Sequence, residues 1–167
     1  SPVAREWLFI CAHLNASLIP FSYLKSWLTS KSLNGEESAI ITSLEEYALI
    51  LLNEEEEGLS IHLQLQKVVK LLSPRETAKQ AVLLVAKLKN EWDFEGSSDF
   101  FEMMKKATTW ATHAELFVTL EKGVVEPSVK ATVLNGLGAW KYQCRAYSKA
   151  LAYYEQVLGI QNISLGE

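Results

Sequence analysis

The sequence predicts a mainly α-helical chain, on three observations. Apolar residues recur at helical spacing in most segments, as do Leu65, Val68, Val69 and Leu72 at i, i+3, i+4 and i+7. Helix punctuation separates these segments: Ser73-Pro74-Arg75-Glu76 and Pro127 read as starts, and Gly123 as a stop. Strand character is confined to two short apolar runs, Leu49–Leu52 and Leu59–His62, on either side of Asn53-Glu54-Glu55-Glu56-Glu57-Gly58. With 167 residues, 49% of them hydrophobic, the chain is long and apolar enough to bury a core. No apolar run approaches the roughly 18–20 residues of a membrane span, and no membrane partner is expected.

Each element follows from local pattern. Residues 4–14 put Trp7, Ile10, Cys11 and Leu14 on one helical face. Asn15 to Pro20 interrupts, and a second helix is expected near 21–28. Asn34-Gly35 marks a turn, after which Ile40, Ile41, Leu44 and Ala48 define a third helix near 37–48. The two apolar runs around the glutamate loop then read as a β-hairpin. Three helices followed by a hairpin is the order of a winged helix. A fourth helix is expected to bury Leu65, Val68, Val69 and Leu72. The helix opened by Ser73, Pro74 and Glu76 is expected to bury Ala78, Ala81, Val82, Val85 and Leu88. Asn90 to Ser98 reads as a loop. Helical pattern resumes over 99–106 and 109–122, then from Pro127 to about 143, and finally over 147–158. The expected organisation is a winged-helix-like domain (1–72), a helical connector (73–126) and a helix–turn–helix pair (127–167).

Charge separates the functional readings. The formal net charge is −4. Residues 1–60 carry nine acids against three bases, a balance of −6, which leaves +2 for the rest. Six bases and one acid fall between Lys67 and Lys89, a solvated helix face or, on a sharper reading, a surface for a phosphate or acidic partner. A winged helix that reads DNA needs cations on its third helix and wing, because affinity comes largely from displacing condensed counterions. Here the third helix carries Glu45 and Glu46, and the wing carries four consecutive glutamates. Nucleic acid is therefore not the expected partner, and a DNA-binding regulator is a minor alternative.

In the last forty residues, Leu134, Leu137, Gly138, Ala150 and Tyr154 fall at successive spacings of 3, 1, 12 and 4. The small residues allow two antiparallel helices to approach, and the large ones fill the space around the contact. This pattern resembles a tetratricopeptide repeat. Lys141 stands where an aromatic is usual, Arg145 where glycine is common and Val157 where alanine is common. One repeat leaves an apolar face uncovered, so the natural chain is expected to continue past Glu167. The absence of an initiator Met likewise suggests a fragment.

Taken together, Leu8–Leu14, Leu18-Ile19-Pro20, Leu44–Ile50, Leu59–His62 and Gln66–Val69 resemble the winged-helix region that follows the nucleotide-binding module in NB-ARC proteins, the STAND class of signal-transduction NTPases, with C-terminal tetratricopeptide repeats. The resemblance covers 4–72 and 127–167; residues 73–126 match only as a helical connector. No Gly-x-x-x-x-Gly-Lys-Ser/Thr phosphate loop is present. The resemblance therefore implies an upstream nucleotide-binding domain, with no cofactor in this chain and ADP or ATP in the intact protein. It also implies a role for His62. A histidine at this hairpin end lies in the family's MHD motif and reaches the β-phosphate of ADP. Ile61 agrees with that motif, whereas Leu63 stands where Asp is frequent.

Catalytic and metal constellations are lacking: Cys11 and Cys144 are far apart and have no ligand-spaced companions. Both read as core residues, as do His13 and His113. Trp27, Trp110 and Trp140 read as packing, whereas Trp92 and Phe94, in a loop, suit a connector or partner anchor. The expected function is a non-catalytic regulatory and protein-interaction piece of a nucleotide-switched signalling protein in the cytoplasm. Its winged helix would stabilise the ADP-bound off state, and its repeats would bind a protein partner or ligand. A free-standing helical adaptor is the alternative.

Overall fold

The computed structural model describes residues 1–89, 99–119 and 125–165. The chain divides into two compact units, Ser1–Leu84 and Val85–Glu167. Its described residues are mainly helical.

The first unit holds α1 (Pro2–Cys11), β1 (Ile19–Pro20), α2 (Phe21–Ser30), α3 (Glu37–Glu46), β2 (Leu51–Asn53), β3 (Gly58–Ser60) and α4 (Leu63–Leu72). The three strands form an antiparallel sheet in the order β1-β3-β2. The hairpin β2–β3 pairs Leu51 with Ser60 and Leu52 with Leu59. Strand β1 was not expected. It is two residues long, pairs Ile19 with Leu59 and Pro20 with Gly58, and ends on a proline that has no N–H to donate. Helices α1, α2 and α3 pack around Trp7, Ile10, Leu14, Leu24, Leu28 and Ile40, all buried. Trp7 and Trp27 stack at 5.3 Å between centroids, tilted by 38°.

Two helices of this unit end in the same way. After α2, Leu33 N–H donates to the Leu28 carbonyl and Ser32 N–H to the Thr29 carbonyl. After α3, Leu49 N–H donates to Leu44 and Ala48 N–H to Glu45. These are Schellman closures, with Ser32 (φ 59°) and Ala48 (φ 51°) in the left-handed position that glycine usually fills.

Helix α4 departs from expectation. Of the four residues expected on its buried face, Val69 is buried and Leu65 half-buried, whereas Val68 and Leu72 are exposed. The helix packs on α1 along only part of its apolar arc. Ser73 also differs. Its hydroxyl donates to the Lys70 carbonyl and meets His13 Nε2 at 3.0 Å, so it serves the end of α4 rather than the start of the next helix.

The boundary between the units falls within α5 (Arg75–Leu88), which buries Ala81, Val82, Val85 and Leu88 as expected, whereas Ala78 is only half-buried. The second unit continues with α6 (Phe100–Ala114), a 3-10 turn (Glu115–Phe117), α7 (Pro127–Gln143) and α8 (Tyr147–Leu165). As far as residue 119, the expected segments 99–106 and 109–122 are one continuous helix, α6, which gives way to the 3-10 turn at residue 115; 120–122 lie outside the described residues. Asp99 caps it, accepting from Phe101 N at 2.9 Å and Glu102 N at 3.1 Å. Its core face carries Ala107, Trp110, Ala111 and Ala114. Trp110 Nε1 donates to the Val85 carbonyl at 2.8 Å. The expected loop at 90–98, with Trp92 and Phe94, and the expected stop at Gly123 lie outside the described residues.

Candidate functional site

Two places in the chain carry residues singled out by sequence. The first is the junction between β3 and α4. Ile61 is buried, and its N–H donates to the Ala16 carbonyl at 3.0 Å. Five residues on, Gln66 Nε2 donates to the Leu14 carbonyl at 2.6 Å. The loop after α1 thus anchors both sides of residue 62. His62 itself is exposed, in extended conformation at the N-cap of α4. Its Nδ1 accepts from Gln64 N at 3.3 Å. In the neutral ring that bond leaves the proton on Nε2, which is then the ring's donor. A donor beside a helix N-terminus suits a phosphate oxygen. One imidazole is not a nucleotide site, however, and the chain has no phosphate loop to complete one. The neighbouring turn presents Glu54, Glu55, Glu56 and Glu57, all exposed, and Glu45 and Glu46 on α3 are exposed too.

The second place is the α7–α8 pair. Leu134, Leu137 and Ala150 are at most 2% exposed, Gly138 is buried, and Tyr154 is half-buried. A Cβ on Gly138 would meet three atoms of the Tyr154 ring at 2.7, 2.9 and 3.0 Å. Gly138 and Tyr154 therefore meet directly, and the other three pattern residues are buried. Burial, with a smaller effect of Tyr142, pushes the Tyr154 phenol up. Lys141 pairs with Glu115 at 2.9 Å and stands 4.0 Å from the Trp140 ring centre, a cation–π contact at the position where an aromatic was expected. The turn closes by a third Schellman motif: Ala146 N–H to Lys141, Arg145 N–H to Tyr142, and Arg145 at φ 58°.

Further residues were missed in the sequence. Gly136 is buried, and a Cβ there would meet the Trp110 ring at 2.5 Å and the Lys89 stem at 3.1 Å. Ser128, Thr132 and Asn135 share one face of α7 at i, i+4 and i+7. With Lys89 and Gln161 they line an open groove of about 560 Å³. An exposed polar stripe of this kind reads in sequence as any solvated helix face.

The cysteines split. Cys11 is fully buried, and burial raises its thiol well above the ordinary range. Cys144 is exposed at the C-cap of α7, which corrects its expected place in the core. His113 is fully buried. His13 is only half-buried; desolvation, helped by Lys70, lowers its pKa to about 4. Among the described residues no group of three His, Cys, Asp or Glu side chains could hold a metal ion, and no helix is long and apolar enough to cross a membrane.

Comparisons with protein-family models, with curated proteins and with solved structures return no match.

Proposed function

We propose that this chain is a non-catalytic regulatory and protein-interaction piece of a nucleotide-switched signalling protein of the NB-ARC type. Residues 1–72 act as a winged helix that steadies the ADP-bound state of an upstream module. The α7–α8 pair acts as a tetratricopeptide-like unit that contacts a protein partner. The observation that carries this reading is His62, exposed at the end of the hairpin, between the Ile61 N–H and the Gln66 side-chain amide, both anchored to the loop after α1. The element order α-β-α-α-β-β and the strand order β1-β3-β2 support the winged helix. The Gly138–Tyr154 contact supports the repeat, and the groove along α7 offers a partner surface. Exposed glutamates on α3 and the wing disfavour a DNA-binding regulator.

A free-standing helical adaptor is the second reading. The exposed stripe of Tyr147, Leu151 and Leu158 on α8 is a face that stacked helices would cover under both readings. The two readings part on nucleotide. Purifying the intact protein and extracting it with acid should yield ADP under the first. An intact protein that carries no nucleotide and binds none on titration refutes the first and leaves the adaptor.

A further inference from the structure

Helix α4 is the one element of the first unit whose amphipathic face is left largely bare. Val68, Leu71 and Leu72 are 53%, 86% and 71% exposed. Around them stand Lys67, Lys70 and Arg75, all exposed, and no carboxylate of the described residues pairs with any of them. The same unit carries a surface of opposite sign. Strand β2 is an edge strand, paired only with β3. It exposes Leu51 (67%) and runs into the turn of four exposed glutamates. None of those four pairs with a cation of the described residues.

We propose that these two surfaces are the halves of one contact between copies of this chain, α4 of one copy docking on β2 and the glutamate turn of the next. A second copy is the occupant because the chain itself presents the complementary apolar and acidic surface, while its own acids leave α4 unpaired. The contact covers apolar side chains that monomers seldom leave grouped in the open. It also shields a sheet edge. Each copy offers both surfaces, so the contact either forms twice across a two-fold axis in a dimer or runs head-to-tail into a ring or an open chain.

The test is sedimentation velocity on the 167-residue chain from about 10 µM to about 1 mM protein, at about 0.05 M and about 0.5 M salt. The mass average should at least double across the range at low salt and fall back at high salt. The variant Lys67→Glu/Lys70→Glu/Arg75→Glu has two acidic surfaces, and Glu54→Lys/Glu55→Lys/Glu56→Lys has two basic ones. Each alone should remain monomeric, and their equimolar mixture should associate again. Restored association shows that the variants fold and that the two surfaces meet. A wild-type chain that stays monomeric at low salt, association that survives in either variant alone, or a mixture of folded variants that stays monomeric overturns the proposal. So does a monomeric chain whose α4 binds anionic vesicles instead.

Discussion

Replacing Gly138 by alanine puts one methyl group into the contact between α7 and α8, where two effects of opposite sign compete. Gly→Ala within a helix gains about 1 kcal/mol of helix propensity. Against this, the new Cβ would sit 2.7, 2.9 and 3.0 Å from three atoms of the Tyr154 ring. A half-buried ring between two packed helices cannot yield as the tip of a lysine would. Overpacking of that kind costs about 1–3 kcal/mol, so the expected net is a loss of about 1 kcal/mol. Gly159 is the internal control: a Cβ there meets nothing within 4 Å. Gly159→Ala should therefore stabilise α8 by about 0.5–1 kcal/mol. Native-state amide exchange over 127–163 reads both changes locally, whatever the first unit does. In a Tyr154→Ala background the sign at Gly138 should invert, giving a coupling of at least about 1 kcal/mol. Higher protection in Gly138→Ala with Tyr154 intact would refute the close-packed contact and reduce α7–α8 to an ordinary helical hairpin.

Three further outcomes are expected. The folded His13 has a pKa lowered to about 4, against an ordinary value of 6.5, so the folded state binds fewer protons. Its contribution is complete above about pH 6.5 and is lost as pH falls toward 4. The full displacement corresponds to about 3 kcal/mol, which screening of this half-exposed ring cuts to roughly 1 kcal/mol; about half of that is lost between pH 7 and 5, and His13→Gln should flatten the unfolding free energy from urea titrations over that window by roughly 0.5 kcal/mol. Cys144 is exposed and Cys11 buried, so a water-soluble disulfide reagent should titrate one thiol in the native chain and two in denaturant; two fast native thiols would contradict the packing of α1. Arg145 occupies the left-handed position at φ 58°, so Arg145→Gly should raise stability by up to about 1 kcal/mol in thermal melts, and a loss would contradict the Schellman closure.

Much of the helical framework was legible, because burial follows the 3.6 period where a helix has neighbours along its whole apolar arc. Ile40 and Leu44 on α3, and Ala81, Val82 and Val85 on α5, lie where that period puts them. Helix α4 shows the limit. Its periodicity is as good, yet Val68 and Leu72 stay exposed, because period reports amphipathicity and not what covers the face. Helix ends were blurred for a specific reason. Three stops use Ser32, Ala48 and Arg145 in the left-handed position, and none of these is the glycine that signals a stop. Strand β1 was invisible because two residues cannot alternate, and one of them is Pro20. At the candidate sites, the hairpin end fixed the place of His62, but the bond its Nδ1 accepts from the Gln64 N–H is one that no pattern encodes. The Gly138–Tyr154 approach followed from spacing. The Gly136–Trp110 contact did not, since it joins α7 to a helix reached across residues of irregular pattern.

The central claim is that His62 holds a nucleotide phosphate in the intact protein, and the dissociation rate of a fluorescent ADP analogue tests it most directly. It is measured on the intact protein beside His62→Ala, with the fold of each variant checked by circular dichroism. Loss of one charge-assisted hydrogen bond, worth about 1.5–3 kcal/mol, should speed release by about 10- to 150-fold. Equal release rates from two folded proteins would contradict the claim and leave His62 as the N-cap of α4 alone.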